Sequence, residues 1–215
     1  MKLTSRTTLA TVAAAVGDVL RRSGIDAVLT GGACASLHSR GRYQSNDVDF
    51  ILGSPVGRVK LDQAMAGVGF AREGDRYVHP ETAFYVEFPA GPLAIGSDAS
   101  IRPIVCRKGA LVFRSLDATD SVRDRLAAYL FWRDLQAFDA AVQIALLQPL
   151  VASRLRRWFD AEGRLAELRN FLRAVEEASP TSRRPRHVPR RRGPGRTGTP
   201  APRRGRGPAG AARPP

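Results

Sequence analysis

Apolar residues recur at Leu9, Val12, Val16, Val19 and Leu20, a three-to-four-residue spacing that predicts an amphipathic helix, and Gly24 in "RRSG" closes it. The rhythm then shortens. "IDAVLTGG" is a brief apolar run bounded by glycines, which predicts an interior strand. "ACASLHS" predicts a short helix starting at the glycine pair, "GRYQS" a loop and "DVDFIL" a second strand. "SPVGRVKLDQAMAGVGF" predicts a helix with Pro55 in its first turn, Val59, Leu61, Met65 and Val68 along its apolar side, and Gly69 at its close. "FAREGDRYVH" and "TAFYVEF" alternate as strands with hairpin-type connections, "PAGPLAIGSDAS" predicts a loop, and "RPIVCR" and "ALVFR" predict further strands. From Asp117 the pattern is helical without a break through "DATDSVRDRLAAYLFWRDLQAFDAAVQIALLQPL", with Asp117, Thr119 and Asp120 offering cap and first-turn acids. "VASRLRRWFDAEGRLAELRNFLRAVEEA" adds one or two more helices.

The pattern predicts an α/β (α+β) chain: a small mixed sheet with flanking helices over residues 1–116, a helical part over 117–178 and a tail over 179–215. The tail decides what the charge means. The chain carries a net charge of +14, but residues 179–215 hold eleven arginines and no acid, which leaves +3 for the rest. They also hold nine of the fifteen prolines and almost no large apolar side chain, so this stretch reads as disordered. An Arg-rich tail can bind nucleic acid through phosphate contacts. Its Arg, Gly, Pro, Ala and Thr are also what GC-rich codons supply, and the whole chain has only three lysines, so compositional bias accounts for it as well as a nucleic-acid arm does.

Cys34 and Cys106 form no CxxC, so neither a disulfide framework nor a zinc knuckle is expected; a metal site of Cys34, His38 and Cys106 is the less economical alternative to ordinary buried thiols. The first twenty residues have the charge and small residues of a signal peptide, but their helical spacing runs on unbroken into "RRSG". No apolar run approaches the length of a membrane span, and a cytoplasmic location with no membrane partner is expected.

The chemistry concentrates in "TGGACASLHSRGRYQSNDVDF". On a strand, Asp47 and Asp49 point to one face and Val48 and Phe50 to the other. Two adjacent carboxylates raise each other's pKa unless a cation sits between them or both reach water, and Mg²⁺ is the cation that takes one or two carboxylates plus substrate phosphates. Gly31 and Gly32 let the backbone approach a ligand closely, and the start of the helix behind them is a seat for phosphate.

A glycine pair after a strand followed by Asp-x-Asp in a second strand resembles the DNA polymerase β-like nucleotidyltransferases, and "FYVEF" supplies the third carboxylate of that superfamily at Glu87. "LTGG", "NDVDF", "VEFPAGPLAIG" and "DRLAAYLFWRD" look most like small prokaryotic nucleotidyltransferase-like proteins related to abortive-infection toxins, a resemblance over roughly residues 10–150. It implies the nucleotidyltransferase fold, a two-metal Mg²⁺ site on Asp47, Asp49 and Glu87, and a nucleoside triphosphate held by the backbone of Gly31 and Gly32. The implied reaction is transfer of a nucleoside monophosphate to a hydroxyl of an RNA, protein or small molecule, with a cognate antitoxin or other partner protein as a further expectation. Arg123 and Arg125 are candidates to reach the triphosphate, although a helical Arg is usually solvated. Fourteen residues separate Gly32 from Asp47, the long end of that family's gap, which leaves the phosphate seat dependent on the intervening loop. Ser36, Ser39 or Ser45 could donate to a phosphate there.

Other residues read more plainly. His38 and His79 are expected in loops or at the surface, Tyr129, Phe131 and Trp132 in the core, and Asp134 on a helix surface. The competing functional readings are a non-catalytic module of the same fold acting with a partner, and nucleic-acid binding through the tail.

Overall fold

The computed structural model describes residues 2–179. The tail over 180–215 lies outside them, and with it the reading of that stretch as disordered or nucleic-acid binding. Among the described residues are seven helices and one seven-stranded sheet.

Helix α1 (Leu9–Arg22) buries Val12, Val16 and Leu20. Gly17 lets it lie directly on the sheet, since a Cβ there would stand 2.5 Å from the Cβ of Phe113. Strand β1 (Ala27–Leu29) is buried at all three positions, as befits a strand with neighbours on both sides. Helix α2 (Gly31–His38) follows at once, then β2 (Asp47–Leu52), α3 (Arg58–Ala66), the hairpin β3 (Ala71–Glu73) and β4 (Arg76–Val78), and β5 (Tyr85–Glu87). A second hairpin, β6 (Ile104–Lys108) and β7 (Leu111–Ser115), completes the sheet. The strand order is β3-β4-β5-β2-β1-β7-β6. The β2–β5 and β1–β7 pairs are parallel and the remainder antiparallel.

The helical residues form α4 (Ala118–Trp132), α5 (Leu135–Ala145), α6 (Ala152–Ala161) and α7 (Leu165–Ala178). Asp117 caps α4 by accepting the Asp120 N–H. The Trp158 indole on α6 donates to the Ile95 carbonyl at 3.0 Å, tying these helices to the loop after β5. One apolar core runs from Leu9 and Val16 through Phe50 and Val86 to Leu126, Ile144 and Phe171. No described helix is long and apolar enough to cross a membrane.

Several local expectations are corrected. "FAREGDRYVH" is two strands, because Gly74, in a left-handed conformation, turns the chain between Glu73 and Arg76. Pro55 precedes α3 instead of opening it, and Val59 is 69% exposed while Leu61, Ala64 and Met65 supply the buried side. The unbroken helical pattern after Asp117 is interrupted at Arg133, which takes a left-handed conformation (φ 59). Asp134 is no mere surface charge: it caps α5 by accepting the Ala137 N–H at 3.0 Å. Tyr129 packs on Phe138 with ring centroids 4.8 Å apart, but Phe131 and Trp132 are not core residues, being 45% and 76% exposed at the end of α4. Cys34 is buried against the Ser115 hydroxyl at 3.2 Å, and burial pushes its thiol up to about 11. Cys106 is half-buried on β6 and unpaired, and His38 is half-buried, with Nε2 3.0 Å from the Leu116 carbonyl.

Candidate active site

Parallel pairing of β2 with β5 sets Asp47 beside Tyr85, Val48 beside Val86 and Asp49 beside Glu87. Alternation then divides the side chains: Asp47, Asp49, Tyr85 and Glu87 share one face, while Val48, Phe50 and Val86 share the other and are fully buried. The apolar strand tolerates its acids because they occupy its one open face. One ligand atom from each of Asp47, Asp49 and Glu87 lies within 4.8 Å of the others.

Helix α2 begins against that face. Thr30 N–H donates to the Asp49 carbonyl at 3.0 Å, and Gly31 turns the chain with φ 65. The glycine pair is required by proximity: a Cβ on Gly31 would stand 2.1 Å from Asp49 Oδ2, and one on Gly32 would stand 2.4 Å from Ser45 Oγ. The long segment before Asp47 closes the gap between the two halves. It reverses after α2 through the Gly41 N–H to Ser36 carbonyl bond (2.8 Å) and the Tyr43 N–H to Ser39 Oγ bond (3.2 Å). Ser45 thereby reaches back, and its hydroxyl donates a short hydrogen bond to the Asp47 carboxylate.

Two residues of α4 complete the site. Asp124 Oδ2 accepts the Gly31 N–H at 3.2 Å and the Arg125 Nε and Nη2 at 3.0 and 2.9 Å. Together with Thr30, Asp49 and the loop Pro89–Ala94 they line a cavity of about 250 Å³. Burial first, then the Asp47 charge, with smaller contributions from Glu87 and Asp124, push Asp49 up to about 7 against the opposing pull of Arg125. A cluster of acids in this condition suits a divalent cation, which would relieve the repulsion on Asp49.

No protein-family model and no curated protein matches the chain. Among solved structures it is similar to an antigenic nucleotidyltransferase-like protein from Paracoccidioides brasiliensis, with 16% identity, a TM-score of 0.54 and coverage of 82% of this chain and 95% of that one. The fold is nucleotidyltransferase-like.

Within this nucleotidyltransferase-like fold, Gly31, Gly32, Asp47, Asp49, Glu87 and Arg125 come together, and Arg123 and Ser36 do not join them. Arg123 is 4% exposed, so it is neither solvated nor free for a ligand at the carboxylates: Asp120 at 2.7 Å and Asp98 hold its guanidinium, which lies over the Trp158 ring. It lines a separate, larger cavity with Asp117 and Arg154. Ser36 is buried in α2, and Ser39 is spent on the turn, leaving Ser45 as the hydroxyl at the carboxylates. Sequence reasoning missed Asp124. An acid inside a helical pattern carries no mark of facing a strand, and it is the contacts with Gly31 and Arg125 that distinguish Asp124 from a solvated charge.

Proposed function

We propose that the protein is a metal-dependent nucleotidyltransferase that transfers a nucleoside monophosphate from a nucleoside triphosphate to an acceptor hydroxyl. The observation that carries this reading is the convergence of Asp47, Asp49 and Glu87, from two adjacent parallel strands, on the glycine start of α2. The similarity of fold to a nucleotidyltransferase-like protein supports it.

The donor set is three carboxylates, hard-oxygen ligands of the kind Mg²⁺ takes, so Asp47, Asp49 and Glu87 would hold it. Bound there, Mg²⁺ would supply neutralisation of the triphosphate and of the departing pyrophosphate. The remaining roles belong to the chain itself. The amides of Gly32 and Ala33, which carry no hydrogen bond among the described residues, would be the donors at the helix start available to phosphate oxygens. Arg125 adds a cation that lines the cavity beside Asp49. Glu87 accepts the proton of the acceptor hydroxyl as its oxygen bonds to the α-phosphorus; the bond from that phosphorus to the bridging oxygen breaks, and pyrophosphate leaves.

Incubation with α-labelled nucleoside triphosphates and RNA, protein or small-molecule hydroxyls tests the reading. The label should appear on an acceptor, and Glu87→Gln should slow its appearance by about 10²–10⁴-fold, the contribution of a general base. Magnesium-dependent nucleotide binding with no transfer to any acceptor would make the protein a binding module of the same fold instead.

A further inference from the structure

We propose that the cavity between the loop after β5 and helices α4 and α6 is a second ligand site, for a small phosphorylated polyol of the sugar-phosphate class. The phosphate would meet Arg102 and Arg157, and the hydroxyls would meet Asp98, Asp117 and Ser100. The inference does not rest on the nucleotidyltransferase reading, since Asp124 and Arg125 of α4 line the carboxylate cavity while Arg123 lines this one.

The walls are fixed by the fold. The loop over 95–100 closes on itself through backbone hydrogen bonds between Ile95 and Asp98, at 2.9 and 3.2 Å. It is then fastened to α6 and the turn after it. The Trp158 indole donates to the Ile95 carbonyl, and Glu162 accepts both the N–H and the hydroxyl of Ser97 at 2.7 Å. Gly96, with φ 60, passes so close that a Cβ there would stand 2.3 Å from Glu162 Oε1. On α6, Arg154, Arg157, Trp158 and Ala161 recur at three- and four-residue spacing and share the face that lines the cavity. The volume is about 680 Å³. Small-molecule sites span about 300–1,000 Å³ and are usually formed before the ligand arrives, as these walls are.

Two tiers of charge line this space. The inner tier is closed. Arg123 is held by Asp120 at 2.7 Å and by Asp98, and Arg154 pairs with Asp117 and Asp120. Hydrogen bonding from Arg123 is the first cause that holds the Asp98 carboxyl below its ordinary value. Taking such a network out of water is costly, and apolar packing would serve stability as well. The network also keeps a donor to spare, because the buried Nε of Arg123 has no hydrogen-bond partner among the described residues. The outer tier is open. Arg102, in the loop before β6, and Arg157, on α6, are exposed and make no ion pair or hydrogen bond among the described residues. Unpaired guanidinium groups brought to one cavity by two separate elements are the donors that phosphate oxygens take. The rest of the lining selects what the phosphate is attached to. Apart from Trp158 and Ala161 it is polar or charged, which disfavours an apolar body. The Asp98 and Asp117 side chains are 35% and 27% exposed, and a carboxylate in one ion pair retains lone pairs for hydroxyl donors while repelling a second anionic group. One phosphate on a hydroxyl-bearing body answers all of these, and inorganic phosphate alone would leave most of the cavity empty.

The chain has two tryptophans, so in Trp132→Phe, which removes the exposed one, emission reports on Trp158 in the cavity wall. That full-length protein would be titrated in EDTA, which keeps magnesium out of the carboxylate site, with ribose 5-phosphate and with glucose 6-phosphate. Inorganic phosphate and the two unphosphorylated sugars serve as comparisons, and both Trp158 emission and the thermal unfolding midpoint are followed. At least one sugar phosphate should give a saturable change in emission or midpoint, with an affinity about tenfold or more above that of inorganic phosphate, and the parent sugars should give none. Arg102→Ala/Arg157→Ala should weaken this binding by about tenfold or more, the worth of a hydrogen bond to a charged group, and leave the unliganded midpoint unchanged because both side chains are exposed. No saturable response to either sugar phosphate would overturn the proposal. So would a response that survives the double substitution, which would place the anion elsewhere, including on the arginines of residues 179–215. Inorganic phosphate binding as tightly as the sugar phosphates would overturn it too, since the cavity would then recognise an anion and no polyol.

Discussion

Gly31 carries two demands at once, a left-handed backbone (φ 65) and a carboxylate that leaves no room for a Cβ. Gly31→Ala should therefore cost about 2–4 kcal/mol in urea unfolding, from backbone strain and displacement of Asp49. An effect under about 0.5 kcal/mol would mean that Asp49 does not lie against the helix start. Asp18 is the other telling residue. Burial alone would raise its pKa, but hydrogen bonds from Arg21 (3.0 Å), the Val112 N–H (3.1 Å) and Arg22 (2.8 Å) outweigh it and hold the carboxyl below its ordinary 3.8. Because the folded pKa is the lower one, the stabilisation is complete above the unfolded value and disappears as pH falls through the folded value. Unfolding free energy measured from neutral pH down into the acid range should fall more gently in Asp18→Asn than in the native protein below about pH 4. An unchanged acid limb would contradict the assignment.

At the scale of elements, Asp134 marks where one predicted helix became two. Its side chain satisfies an amide at the start of α5, so Asp134→Ala should lower stability by about 1 kcal/mol in chemical denaturation, the usual worth of an N-cap, whereas a solvated charge would cost almost nothing. That break was not legible beforehand, because a left-handed arginine leaves no compositional signal, whereas the turn at Gly74 was overlooked despite carrying one. The site's first half was legible for a local reason: alternation along "DVDFIL" places Asp47 and Asp49 together whatever the strand's neighbours are. The placement of Glu87 opposite Asp49 needed the β2–β5 register, and the contact of Asp124 with Gly31 spans ninety-three positions of chain. Trp132 was misread for the same kind of reason, since an aromatic residue in a helical stripe looks like core until the partner helix is seen to turn away.

At the scale of the molecule, the sheet and helices serve to bring three segments to one place: the start of α2, the open face of β2 and β5, and the middle of α4. The described residues up to 179 hold this site without the eleven arginines that dominate the charge of the chain. In the proposed reaction Asp47, Asp49 and Glu87 hold a divalent cation together with a nucleoside triphosphate. Titration calorimetry of the native protein with each nucleoside triphosphate, in magnesium and then in EDTA, tests it most directly. Binding should require magnesium, and Asp47→Asn/Asp49→Asn should remove it while the protein stays folded. Binding that survives that double substitution, or no binding of any nucleotide by the native protein in magnesium, would contradict it.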